Sequence, residues 1–330
     1  MSHKACILFG MAAAVYAATC ANTGADYTYT ETVDGTTRTI VWSGCPNHFY
    51  GTGMNPNSPV KGSTTYKIPK SPMLQPAGTT VDLSAQGGAI GLTFAGEQIY
   101  SPYGGAKYGA TTNYATTAVK NEGDTFDMCG GHSSSNTQVS YHIHIPPSCL
   151  LRQLSAQDNA HSPQIGWAFD GFPVYGPRGA SGKMMKKCTI DSTAPCLDEC
   201  GGIASAYEGY NYRYHIQGPY NNGTDCSNPN SQMKPLDATV WTSYYPHSPI
   251  CFRGCIPSGV TGLTFNKLIA CSGSATAGSS SPKAAQAALA VNDKPVCSSY
   301  AGAGKFFSSA PSTHSPHAGV FLAVAGLVLL

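Results

Sequence analysis

The chain has 330 residues, of which 42% are apolar and only 11% charged, with a formal net charge of +2. That length and apolar fraction can bury a core, which excludes disorder throughout. The near-neutral balance offers no basic field to a polyphosphate, so nucleic acid is not an expected partner.

At the N-terminus, Lys4 precedes the apolar run Ala5 to Ala18, with small residues at Val15, Ala17 and Ala21. This pattern predicts a secretory signal peptide over residues 1–17. Thirteen cysteines in a secretory frame are expected to be oxidised. A cut after Ala17 leaves an even number of them and a cut after Ala21 an odd number, so parity favours Ala17. Spacing leaves the disulfide connectivity open, and the short Cys196–Cys200 and Cys251–Cys255 intervals read as disulfide cysteines outside a reducing cell.

Asp26 to Val41, rich in Thr, Tyr and Val around Asp34-Gly35, predicts two strands and a tight turn. His48 follows between Pro46 and an aromatic pair and reads as a satisfied histidine. Five prolines between Asn55 and Pro76 break any long element, and Val81 to Tyr100 alternates as strands around Gly87-Gly88. Leu150 to Ala160 carries apolar residues at helical spacing. Lys183 to Lys187 is a solvated basic loop, and Asn222-Gly223-Thr224 is a glycosylation sequon at Asn222. Beyond Cys271 the composition turns to Ser, Ala and Gly, which predicts a stalk over residues 272–310. The apolar end of 311–330 is too short to span a bilayer, and with small residues at Ser308 to Ala310 it matches a GPI-attachment signal with Ser308 as the lipid site. Together these features predict an extracellular, cell-surface location with the membrane as a partner through the lipid anchor.

Two stretches repeat. IGLTFAGEQIYSPYGG, from Ile90, aligns with IGWAFDGFPVYGPRGA, from Ile165, at seven of sixteen positions. Asp127 to Ile145 aligns with Asp198 to Ile216 without a gap, so that both copies carry an Asp, a Cys-Gly-Gly and a Tyr-x-x-His-Ile. The expected fold class is therefore mainly β: a duplicated, pseudo-symmetric, disulfide-rich β domain over 26–271, with units of about 85–160 and 161–255. The duplication is an internal control. Asp127 and Asp198, Cys129 and Cys200, and His144 and His215 occur in both copies, whereas His132, His142 and Asp170 face Ile203, Arg213 and Ala95. The unpaired polar residues lean towards chemistry.

In an extended strand His142 and His144 share one face while Tyr141 and Ile143 take the other, where Tyr141, Tyr212 and Tyr214 read as core residues. Two imidazoles on one strand face with a loop ligand make a facial metal site, and His132 on the glycine-rich turn is the natural third ligand. If the copies close about a twofold axis, His215 approaches the same cavity as a fourth. Asp127, His161, Asp170 and Arg213 are the supporting candidates, Asp127 as a ligand or as an acceptor that fixes a tautomer, Asp170 equally as a turn former and His161 as a turn cap. Imidazole suits copper, zinc or iron. A structural Tyr/His network is the competing reading of the same residues. Two other classes stay open: a glycan- or protein-binding wall or matrix protein using Trp167, Phe172 and Tyr175 as an aromatic surface, and an extracellular metal-dependent oxidoreductase or hydrolase. No GxSxG, Walker-type or HExxH arrangement is present.

CGGH (Cys129–His132), YHIH (Tyr141–His144), HSPQIGWAFDGFPVYGP (His161–Pro177), LDEC (Leu197–Cys200), YRYH (Tyr212–His215) and CFRG (Cys251–Gly254) resemble the YHYH domain family. The resemblance implies an extracytoplasmic domain without an established activity. The chain departs from the name-giving pattern at Ile143, in place of the second Tyr, and at Arg213, in place of the first His.

Overall fold

The computed structural model describes residues 18–50, 55–84, 88–104, 117–193, 195–220 and 241–292. The predicted signal peptide, Asn222, Ser308 and the apolar tail lie outside the described residues. Among those described, no helix is long and apolar enough to cross a membrane.

The Asp-Gly turn joins β1 (Tyr29–Asp34) to β2 (Thr37–Trp42), which pairs on its other edge with β3 (Thr64–Pro69). Alternation along β2 buries Arg38, Ile40 and Trp42 on one face. Arg38 ion-pairs with Glu31 and lies 3.9 Å over the ring of Trp167, which ties this sheet to the next. Two small ladders follow. In one, β4 (Met73–Leu74) lies between β15 (Gly254–Cys255) and β16 (Thr276–Ala277); in the other, β5 (Val81–Asp82) pairs with β14 (Cys251–Phe252).

Among the described residues the main sheet has eight strands. The first unit supplies β6 (Ala89–Thr93), β7 (Gln98–Tyr100), β8 (Gly131–Ser133) and β9 (Tyr141–Ile143), and the second supplies β10 (Gln164–Ala168), β11 (Pro173–Tyr175), β12 (Gly202–Ile203) and β13 (Arg213–His215). Their order, β12-β13-β11-β10-β6-β7-β9-β8, reads the same from either end once the copies are exchanged. β6 and β10 meet antiparallel with Leu92 opposite Trp167, two residues that are themselves equivalent, so the pseudo-twofold axis passes between them. Backbones close up there: a Cβ on Gly91 would lie 2.6 Å from the carbonyl oxygen of Trp167, and one on Gly166 2.2 Å from that of Leu92. Only glycine permits that approach. Both hairpins carry the same register shift, at Ala89/Gly91 and at Gln164/Gly166.

The expected duplication is therefore realised as one mainly β sheet system. The expected common hollow is not, because the axis runs through the inner strands and places the two imidazole-bearing strands, β9 and β13, five strand steps apart, about 24 Å at ~4.8 Å per step.

Helix is scarce. α1 (Ala118–Glu122) is capped by the side chain of Thr117, which accepts from the amide of Lys120, and runs into a 3-10 turn at Gly123–Thr125. α2 (Ser148–Gln153) covers only the start of the helical stretch expected over Leu150 to Ala160, and buries Leu150 and Leu151. Among the described residues five disulfides are formed: Cys20–Cys45, Cys129–Cys149, Cys188–Cys196, Cys200–Cys251 and Cys255–Cys271. A signal cut after Ala21 would thus remove the partner of Cys45. The described part of the Ser/Ala/Gly-rich segment lies along the domain. β16 extends a ladder, the Arg38 guanidinium donates to the carbonyls of Lys283 and Ala284, and the amide of Asn292 donates to the Asn47 carbonyl.

Candidate metal centre

β8 and β9 pair antiparallel with His132 directly opposite His142, and in that arrangement facing residues project to the same side. His144, the residue just past the end of β9 and two from His142, continues on the same face. The three rings gather accordingly, with centroids 4.3 Å apart for His132 and His142, 4.8 Å for His142 and His144, and 5.8 Å for His132 and His144. All three are buried.

Their outer nitrogens are fixed by acceptors. Nδ1 of His142 lies 2.7 Å from the Ser140 carbonyl and Nδ1 of His144 2.7 Å from the Ser101 carbonyl, so each must carry its proton there. Thr125 donates its single hydroxyl proton to the Glu122 carbonyl, 2.7 Å away, and so accepts from Nδ1 of His132, also at 2.7 Å. Each Nε2 is therefore an unprotonated lone pair pointing inward. Burial, with the neighbouring imidazoles adding to it, holds His142 and His144 well below the ordinary histidine range and pushes His132 down to about 3, so protonation does not relieve the crowding. Nε2 of His142 and of His144 lie 3.1 Å apart, and Nε2 of His132 has no hydrogen-bond partner. Two facing lone pairs at that distance repel unless a cation lies between them.

Glu122, at the end of α1, closes the set. Its Oε2 is 3.4 Å from Nε2 of His132 and 3.8 Å from Nε2 of His144, and all four donor atoms fall within 4.8 Å of one another. Burial raises this carboxyl to about 7. Bonds of ~2.0–2.1 Å in a tetrahedron place ligands about 3.4 Å apart, which the 3.1, 3.4 and 3.8 Å separations bracket. The Tyr100 ring stacks on His142 at 3.7 Å, and Phe126 on His144 at 5.8 Å. A cleft of about 480 Å³ opens over the four donors and is lined further by Asn55, Asn57, Tyr100, Ser133 and Ser134. One side of the cluster thus stays accessible, as a site that exchanges ligands requires.

Of the residues singled out in the sequence, His132, His142 and His144 come together. Asp127 stands behind them as a frame. One carboxylate oxygen accepts from the amides of Cys129 and Gly131, the other from the Tyr141 hydroxyl at 2.7 Å, and Asp198 repeats this with Cys200, Gly202 and Tyr212. His215 does not join the cluster. It sits in the second unit with Arg213, whose Nε donates to Nε2 of His161 at 3.2 Å, and His161 stacks on Tyr207. Asp170 accepts from the Tyr214 hydroxyl and from the amides of Phe172 and Gly254, so it pins the second unit to β15. Trp167, Phe172 and Tyr175 are buried and form no aromatic surface. His48 is buried against Asn47 and Tyr141, as a satisfied histidine. It also lies near Cys129 and Cys149, but those sulfurs are joined to each other and offer no thiolate. The sequence reading missed Glu122 and Thr125; a five-residue helix shows no periodicity, and the only signal was a lone carboxylate ten residues before His132.

Residues 65–198 match the family described as YHYH protein. The match takes in CGGH, YHIH and HSPQIGWAFDGFPVYGP and stops before β12 and β13. No curated protein and no solved structure matches the chain.

Proposed function

We propose, from the premise that residues 65–198 form a YHYH domain, that the protein binds one transition-metal ion on His132, His142, His144 and Glu122. The observation that carries this reading is the set of three inward Nε2 lone pairs, each fixed by an acceptor on the opposite nitrogen. A structural Tyr/His network would place a proton between neighbouring nitrogens; here the protons are all drawn outward. Three imidazoles and one carboxylate, without thiolate, suit zinc, copper(II) or iron. When bound, the ion would act as a Lewis acid or redox centre towards a molecule entering the cleft. The chain's own residues orient the imidazoles, bury them against Tyr100 and Phe126, and hold a carboxyl beside the open face.

The five disulfides among the described residues support a place in an oxidising compartment. The leader, the Asn222 sequon and the 311–330 tail with Ser308 support attachment at the cell surface, which release by a phosphatidylinositol-specific phospholipase tests.

Full-length protein purified without a histidine tag, stripped and reloaded with zinc, copper(II) or iron is expected to hold about one ion per chain, and His142→Ala or His144→Ala close to none. A native stoichiometry near zero with all three metals would overturn the reading.

A further inference from the structure

The second unit repeats the paired strands of the metal centre with other side chains on them, and among the described residues it has no counterpart of α1 and Glu122. Ile203 pairs with Arg213 as His132 pairs with His142. His215 sends its Nδ1 proton to the Gly176 carbonyl at 2.7 Å, as His144 does to the equivalent Ser101 carbonyl. Its Nε2 is buried and without a partner, aimed into the same relative position as the first unit's lone pairs. Here, however, Arg213 takes the place of His142. Its guanidinium donates from Nε to Nε2 of His161, whose own Nδ1 lies 2.7 Å from the Ser162 carbonyl, and from a terminal nitrogen to the Ser205 carbonyl at 2.8 Å. The lone pair of His161 therefore meets a permanent, covalently attached cation. The Tyr207 ring covers the guanidinium at 4.9 Å, and Lys283 closes on Glu208 from the C-terminal segment.

We infer that the second unit is a self-occupied copy of the metal centre, in which the Arg213 guanidinium stands where the first unit takes an exchangeable ion. Ile203 and Arg213 are then the specificity-determining residues that limit the chain to one ion. This rests on the metal reading of the first unit. Arginine keeps its proton at neutral pH, and it repels a second cation rather than ligating it.

The test is the zinc content of the full chain and of its Ile203→His/Arg213→His variant, which restores the missing imidazoles beside His215 and frees His161. The native chain is expected to take up about one equivalent and the double variant about two, with the second lost on adding His215→Ala. Two equivalents in the native chain, or one in a folded double variant, would overturn the inference. No zinc in the native chain but one equivalent in the variant would instead remove the metal reading of the first unit. If the double variant does not fold, Arg213→His alone serves, since His161, His215 and the introduced imidazole still give three donors. It is expected to hold a second equivalent under conditions where the native chain holds one, and failure to do so counts against Arg213 as the excluding group.

Discussion

Tautomer control is the property on which the centre turns, and each imidazole obtains it from a different source. His142 and His144 use backbone carbonyls, which no substitution removes, but His132 relies on the Thr125 hydroxyl. Thr125→Val keeps the shape and deletes the acceptor, so the His132 lone pair is no longer held inward. Metal affinity is expected to fall by ~10–100-fold, with the unfolding midpoint of stripped protein little changed. Competition against a chromogenic chelator measures this, and unchanged affinity would show that Thr125 does not orient the ring. Asp170 predicts the reverse pattern. In Asp170→Asn an amide nitrogen replaces either the oxygen that accepts from both the Tyr214 hydroxyl and the Gly254 amide or the one that accepts from the Phe172 amide. A loss of ~1–3 kcal/mol in urea unfolding is expected, with metal content unaltered. Loss of the ion in a folded Asp170→Asn protein would return Asp170 to the site.

Much of the centre was legible in the strand Tyr141 to Ile143 alone, because a period of two sorts tyrosine from histidine whatever the strand packs against. Comparing the copies sorted the rest in part. Asp127, Cys129 and Tyr141 recur as Asp198, Cys200 and Tyr212 with the same hydrogen bonds and form a frame, while unpaired His132 and His142 fall in the group of donors that could hold a metal and unpaired Asp170 falls in the frame. What the duplication could not reveal was which strands meet at its axis. That depends on the closeness Gly91 and Gly166 allow, and it decided that His215 lies far from His144. Glu122 was hidden because α1 is one turn and a fraction long, held by its Thr117 cap and by packing. The CGG turn beneath His132 is held in turn by Cys129–Cys149, which ties it to the start of α2 across a separation of 20 residues. Replacing both cysteines by serine is expected to cost about 3 kcal/mol by loop-closure entropy, and to weaken metal binding in the same protein because β8 loses its anchor. Denaturant unfolding together with chelator competition checks both. A destabilised variant of native affinity would separate the turn from the centre.

Across the whole molecule, burying so many histidines couples stability to pH. His48 and His215 are driven down to about 3 and His247 to about 4, in each case chiefly by burial, and none of these belongs to the centre. His132, His142 and His144 are depressed as well. A depressed histidine contributes stability that is present above its unfolded value of 6.5 and is lost as pH falls towards its folded value, because the unfolded chain takes the proton first. Buried carboxyls act oppositely. Glu97 is raised to about 8, Glu122 to about 7 and Asp170 to about 6, and each contribution is lost as pH rises from the ordinary carboxylate range to the raised value. Between pH 4.5 and 6.5 the six histidines outnumber these carboxyls, so stability climbs with pH by about 1.4 kcal/mol per unit for each uncompensated proton at most. Above 6.5 only Glu97 and Glu122 continue, and stability declines gently. Stripped protein is therefore expected to melt highest near pH 6.5 and to lose stability steeply on the acid side. A metal that binds only the folded, unprotonated cluster adds up to ~4 kcal/mol at a thousandfold excess over its Kd, and it adds most where protons do not compete. Melting curves from pH 4.5 to 8.5, with chelator and with saturating zinc, should diverge as pH rises through the range where the Glu122 carboxyl, raised to about 7, gives up its proton, because the folded imidazoles are already unprotonated there. Parallel curves would mean that the ion does not meet the Glu122 carboxyl.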